Sequence, residues 1–208
     1  MHEKYTTRGL IVSASAYREA DKILSIYTED FGLVSAVAAG VRRSASKLRY
    51  HTQDFSVRQF SLVSGRDIWR LVGAEEISGV ISLDPTDSSD APAVYARILS
   101  LIRRLVRGEE KNEQVFLTLF SLYNLLSTPN VISVENTQIK EDTNVDTTAL
   151  ETLAVFRILH SLGYIKSDVA TEPLITPTSI DKPLVVSAKP LVPSLISAIN
   201  AGLTESHL

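Results

Sequence analysis

The sequence predicts a β + α protein of two domains, with a small β-barrel or β-sandwich followed by helices. Three observations predict it. Residues 8–77 divide into five short runs rich in alternating or β-branched residues, each bounded by turn residues. The composition then turns polar at Leu83-Asp84-Pro85-Thr86-Asp87-Ser88-Ser89-Asp90. Beyond that boundary, apolar residues recur at helical spacing. A chain of 208 residues with 44% hydrophobic content can bury a core, as one large domain or two small ones. The boundary places the domains at 1–83 and 84–208.

The first strand is expected over Arg8–Ala14, alternating around Leu10, Val12 and Ala14. Lys22–Thr28 sets Ile23, Ser25 and Tyr27 on one face and Leu24 and Ile26 on the other. Glu29-Asp30-Phe31-Gly32 is a turn, and Gly32 can take positive φ. Leu33–Val41 is a third strand, Phe55–Val63 a fourth and Asp67–Ala74 a fifth, the last two joined at Ser64-Gly65. A five-stranded oligonucleotide-binding barrel has this strand count.

In the second half, Val94, Ile98, Leu101, Ile102 and Leu105 form one helical stripe, closed by Gly108. Asn112 caps a second helix that buries Val115, Phe116, Leu119, Phe120, Tyr123 and Leu126. Residues 127–147 read as a polar, mobile loop. Thr148-Ala149-Leu150-Glu151 has the form of a capping box opening a helix to Leu162, with Gly163 as its stop. Pro173, Pro177, Pro183 and Pro190 make 165–190 mostly irregular, and Leu191–Ile199 is a last short helix ending before Gly202.

Composition excludes several functions. Cysteine is absent, so disulfides, Cys-zinc sites and thiol nucleophiles are excluded, as a reducing cytoplasm would allow. No uninterrupted apolar run reaches the ~18 residues of a membrane span, and the N-terminus lacks a signal-peptide core. His2, His51, His160 and His207 are scattered, and no HExxH, GxSxG, Walker A or GxGxxG pattern occurs. Glu75-Glu76 and Glu109-Glu110 are adjacent pairs, which do not converge on one substrate. No enzyme, cofactor, metal or small-molecule substrate is expected.

Charge is unevenly placed. The net charge is −3, yet residues 41–70 carry seven cations against Asp54 and Asp67. Arg42, Arg43, Lys47 and Arg49 fall within one stretch, Gly40 to Arg49, interleaved with Ser44 and Ser46. Fixed positive charge beside hydroxyls suits a phosphate backbone, and the plainer reading is a solvated basic loop.

Several segments occur in an order found in one known family. These are Glu19-Ala20-Asp21-Lys22-Ile23-Leu24, Phe31-Gly32-Leu33-Val34-Ser35, Ala39-Gly40-Val41-Arg42-Arg43-Ser44 with Ser46-Lys47-Leu48-Arg49, and Gln53-Asp54-Phe55. Together they resemble the N-terminal domain of the bacterial recombination mediator RecO. Phe156-Arg157-Ile158-Leu159 with Leu162-Gly163-Tyr164 is similar to that family's central helix. The resemblance implies an oligonucleotide-binding barrel followed by a helical domain. It implies binding of single-stranded and double-stranded DNA, annealing of strands coated by single-strand-binding protein, and help in loading recombinase. Implied partners are RecR and the acidic C-terminal tail of single-strand-binding protein, in the bacterial cytoplasm at the nucleoid. Many members carry a four-cysteine zinc site after the Leu-Gly-Tyr helix. Here the chain reads Ile165-Lys166-Ser167-Asp168-Val169, so zinc is excluded on ligand grounds.

With that resemblance, Arg42, Arg43, Lys47 and Arg49 become expected phosphate contacts, extended by Arg66 and Arg70. Tyr50 and His51 are the expected base-stacking residues. Arg18 and Lys22 are weaker candidates, because Glu19 and Asp21 adjoin them. Trp69 alternates with Arg70 and belongs in the core, as do Phe31, Phe55 and Phe60. Phe116, Phe120 and Tyr123 could line a peptide groove, with Arg103 or Arg104 pairing the acidic groups of the single-strand-binding-protein tail. The alternative is an interaction adaptor bridging RecR and single-strand-binding protein, its DNA binding vestigial.

Overall fold

The computed structural model describes residues 3–83, 86, 89–127 and 145–206. His2, His207, much of the polar boundary and almost all of the 127–147 loop lie outside the described residues. The chain forms two compact units. One comprises 1–86 with 99–116, and the other 87–98 with 117–208.

Five strands close a barrel: β1 (Lys4–Tyr17), β2 (Asp21–Thr28), β3 (Gly32–Ala38), β4 (Val57–Val63) and β5 (Trp69–Glu75). The order around the ring is β1-β2-β3-β5-β4, with β3 and β5 parallel and every other pair antiparallel. This is the oligonucleotide-binding barrel, not a sandwich. β1 is longer than its alternation predicts because it serves two neighbours. Lys4–Leu10 pairs with β4, while Gly9–Tyr17 pairs with β2. β3 ends before Val41, whose side chain nevertheless enters the barrel core with Ile11, Leu24, Ile26, Val34, Phe60, Leu62 and Trp69.

Residues 99–116 pack into the same unit as the strands. The Tyr27 hydroxyl donates to the Asn112 carbonyl at 3.4 Å, and Trp69 Nε1 donates to Glu109 Oε1 at 2.8 Å. Burial, with the Glu110 charge nearby, raises the Tyr27 phenol above its ordinary pKa. Gly32, at φ +66°, lies where a β-carbon would come within 2.1 Å of the Glu110 carbonyl oxygen. Glycine is therefore required there both for backbone conformation and for space.

The helices are α1 (Ala91–Leu105), α2 (Glu113–Ser127), α3 (Thr147–Ser161), α4 (Glu172–Ile175), α5 (Lys182–Ala188) and α6 (Val192–Glu205). Asn112 caps α2 as expected, its Oδ1 accepting from the Val115 amide at 3.1 Å. In the second unit, α3 is buried along most of its length, with Leu150, Leu153, Phe156, Ile158 and Leu159 inaccessible.

Three local expectations are corrected. The capping box at Thr148 and Glu151 does not form. Asp146 caps α3 instead, its carboxylate accepting from Ala149 N at 3.0 Å, while Glu151 forms a bidentate pair with Arg97. An aspartate two residues earlier is the better acceptor for those amides. Residues 165–190 are not mostly irregular, because Pro173 and Pro183 sit in the first turns of α4 and α5, where no amide is needed. α6 runs through Gly202, where a β-carbon would meet the Tyr164 carbonyl oxygen at 2.7 Å. Gly202 marks a close approach of two backbones, not a helix end.

Lys182–Glu205 has the length and the mean hydropathy, 1.4, to cross a membrane, although no uninterrupted apolar run does. It is broken by a 3-10 turn at Lys189–Leu191, and Leu184, Val185, Ala188 and Leu195 are buried inside the unit. Both α5 and α6 contact α3.

The Asp146 carboxyl is held below its ordinary pKa, first by the Ala149 amide and then by Lys189 at 3.2 Å. A depressed folded-state pKa contributes stability above the unfolded carboxylate range and loses it as pH falls through the folded value. Asp146→Ala should therefore cost about 1 kcal/mol at neutral pH. Urea titrations repeated as the pH is lowered through the folded-state value of Asp146 should show the difference shrink.

Candidate nucleic-acid interface

The basic segment is anchored at both ends. Gly40, at φ +67°, turns the chain away from β3, and Val41 enters the core directly after it. Leu48 packs against the same core from the far end. Between them the backbone closes turn upon turn. Arg43 N donates to Gly40 O, Ser46 N to Arg43 O and Arg49 N to Ser46 O, at 3.1–3.3 Å. Residues 47–52 form a 3-10 helix, and Lys22 Nζ donates to the Thr52 carbonyl at 3.0 Å. Arg43, Ser44, Lys47, Arg49 and Tyr50 consequently stand exposed on a fixed backbone. A projection of this kind loses less entropy on binding than a free loop.

The segment is tied to the β1–β2 turn. Arg42 N donates to Ala20 O at 2.9 Å, and Gly40 N to Asp21 Oδ1 at 2.8 Å. The Arg42 guanidinium, read in sequence as a phosphate contact, donates through Nη1 to the carbonyls of Arg18 and Glu19 at 3.2 and 3.0 Å. Its side chain is exposed and keeps further donors, but one of its jobs is to hold this turn. Asp21, which adjoins the weaker candidates Arg18 and Lys22, accepts a backbone amide here.

The other expected contacts follow from register. Arg70 of β5 lies beside Val37 of β3, which lies beside Ile23 of β2, and Arg70 is exposed while Trp69 is buried. The alternation of Trp69 and Arg70 across the sheet is as expected. Trp69 packs edge-on to Tyr5 at 5.6 Å and against Phe31 at 5.1 Å. Arg66 is exposed in the β4–β5 turn. The parallel pairing sets that turn toward the start of β3, whereas Arg42 and Arg43 follow its end. The cations thus bracket β3, a strand of seven residues or roughly 23 Å.

His51 is less available than its position suggests. Its Nδ1 accepts from Arg58 Nε at 3.3 Å, which leaves the ring half-buried. Arg58, counted in sequence among the basic residues of 41–70, is only 8% exposed. It also donates to Val57 O and Ser82 Oγ. Tyr50 is 72% exposed. Of the peptide-groove residues, Arg103 and Arg104 are exposed, Phe120 is half-buried, and Phe116 and Tyr123 are inaccessible. Phe116 lies beneath the Arg8 guanidinium at 5.7 Å, and Tyr123 packs edge-on to Tyr95 at 5.3 Å. Neither Phe116 nor Tyr123 presents a wall to a peptide.

Sequence reasoning passed over Tyr17. It ends β1, is 37% exposed, and has the Arg18 guanidinium over its ring at 5.0 Å. An aromatic at a polar turn, outside the core alternation of β1, was the available signal.

Residues 1–80 match the family described as Recombination protein O N terminal. Over 127 residues the chain is 37% identical to the DNA repair protein RecO of Synechocystis sp., covering 61% of this chain and 44% of that protein. It is 40% identical over 126 residues to the DNA repair protein RecO of Rubrobacter xylanophilus, covering 54% and 51%. Identity to the DNA repair protein RecO of Dehalococcoides mccartyi is 32% over 117 residues, covering 56% and 46%. The chain spans about half the length of the curated relatives it matches.

Proposed function

We propose that this chain, whose residues 1–80 match the family described as Recombination protein O N terminal and fold as an oligonucleotide-binding barrel, is a DNA repair and recombination mediator. It binds single-stranded and double-stranded DNA through the barrel, anneals strands coated by single-strand-binding protein, and assists recombinase loading with RecR. It acts without bond chemistry, in the bacterial cytoplasm at the nucleoid. The observation that carries this reading is the anchored run of exposed cations, Arg43, Lys47 and Arg49, beside a β3 face flanked by Arg66 and Arg70.

In this reading that arrangement supports annealing. Neutralised phosphates repel a second strand less, and held strands meet complements at raised local concentration. The helical unit is the docking part in this reading. Supporting it are Val169, Val186 and Ile196, exposed apolar residues of that unit.

The test is fluorescence anisotropy of a labelled single-stranded oligonucleotide across a salt series, followed by annealing of complementary strands coated with single-strand-binding protein. Salt-sensitive binding and faster annealing are expected. No binding at low salt, with RecR or the tail peptide retained, would replace this reading by the adaptor.

A further inference from the structure

The β1–β2 turn carries a feature that phosphate binding does not need. Tyr17 is exposed at its start, and the next residue, Arg18, lays its guanidinium over the ring at 5.0 Å. Arg18 does so from the left-handed region, at φ +53°, where its β-carbon crowds the backbone and glycine or asparagine would be relaxed. The turn is also fixed from outside, by Arg42 N on Ala20 O, Arg42 Nη1 on the carbonyls of Arg18 and Glu19, and Gly40 N on Asp21 Oδ1. A strained residue, an exposed ring and four bonds from the basic segment meet in one turn.

We propose that Tyr17 is a base-stacking platform that lets the barrel distinguish unpaired from paired nucleic acid. This rests on the DNA-binding reading above and deepens it. The guanidinium lies over one face of the ring and fixes its plane, and the exposed part of the ring, 37% of the residue, is what a base can meet. Guanidinium N–H groups point outward in the plane of the group, so Arg18 can bond the phosphate of the same nucleotide. A base in a duplex is covered on both faces by its neighbours and cannot stack on Tyr17 without leaving the helix, which costs unstacking energy. Phosphate contacts from Arg43, Lys47 and Arg49 are blind to that difference, whereas Tyr17 is not. Annealing itself withdraws the bases from Tyr17, so the product duplex is held by its phosphates alone and dissociates faster than a single strand does.

The experiment compares a labelled oligo-dT with a duplex of equal length, against the full chain, Tyr17→Ala and Tyr17→Phe. Tyr17→Ala is expected to weaken single-strand binding about ten-fold and to leave duplex affinity within about two-fold, because only phosphate contacts remain there. Tyr17→Phe should keep the single-strand affinity. Irradiating the wild-type complex with a 5-iodouracil oligonucleotide should cross-link to Tyr17, located by peptide mass spectrometry. Equal losses on single strand and duplex, or an unchanged Tyr17→Ala, would overturn the inference while leaving DNA binding intact. A wild-type chain that binds neither nucleic acid would overturn the functional reading and this inference with it.

Discussion

Arg157→Met is expected to lower the stability of the chain by about 3 kcal/mol, through loss of charge-assisted hydrogen bonds and the carbonyls they leave unpaired. Arg157 is 3% exposed, on the inner side of α3. Its donors reach Leu174 O at 2.9 Å, Pro177 O at 2.5 Å, Thr178 O at 3.4 Å and Thr118 Oγ1 at 3.4 Å. Burial lowers the guanidinium from its ordinary pKa, and these oxygens replace the water it has given up. Methionine matches much of the aliphatic stem but donates nothing, so three carbonyls around residues 174–178 lose their donor. Arg157→Lys should fall between, since an ammonium cannot span the same set. Urea unfolding followed by circular dichroism measures the effect, and a midpoint unchanged by Arg157→Met would contradict it. DNA affinity measured well below the transition should stay at the wild-type value, because the arginine belongs to the unit without the barrel.

Reversing Arg43, Lys47 and Arg49 together to Glu should weaken single-strand binding on the order of a hundred-fold at moderate salt. The slope of log affinity against log salt should shrink by about 2, from roughly 0.7 for each lost phosphate contact. All three side chains are exposed, so the barrel should keep its stability. Arg42→Glu should behave differently. Its guanidinium also holds the carbonyls of Arg18 and Glu19, so the variant should disturb the turn as well as the charge. Anisotropy with a salt series separates the two. A triple variant that binds as wild type would remove the basic segment from the interface.

The barrel was legible because its signals are local and period-two. The inward set Leu24, Ile26, Val34, Ala36 and Ala38 is buried as the alternation requires, while Tyr27 on the opposite face is buried as well, its hydroxyl donating to the Asn112 carbonyl. Ring closure was not legible. Strand count allows a barrel or a sandwich, and only the parallel pairing of Ala36–Ala38 with Trp69–Leu71 decides it. The α3 cap was misread because two acceptors competed. Asp146 precedes the helix and Thr148 lies in its first turn, and motif spacing favours the threonine. What decides is where the chain enters, together with Lys189, which lies far along the sequence. The exposed cations were visible as a charge run. The second task of Arg42, the sequestering of Arg58 and the presentation of Tyr17 were not, because each depends on partners that residue type does not specify. Arg58 meets His51 and Ser82 only once the barrel has closed.

Closure of the ring has a further consequence for how copies of the chain meet at high concentration. Open sheets leave a row of unpaired amides and carbonyls at each edge, and crowding then invites strand addition between copies. Here every strand of the barrel has a neighbour on both sides. The seam between β3 and β5 is the shortest, three residue pairs long, and Val41, Trp69 and Leu71 close the core beside it. Copies of the barrel brought close together therefore find few free strand edges on one another, and strand addition between them is disfavoured.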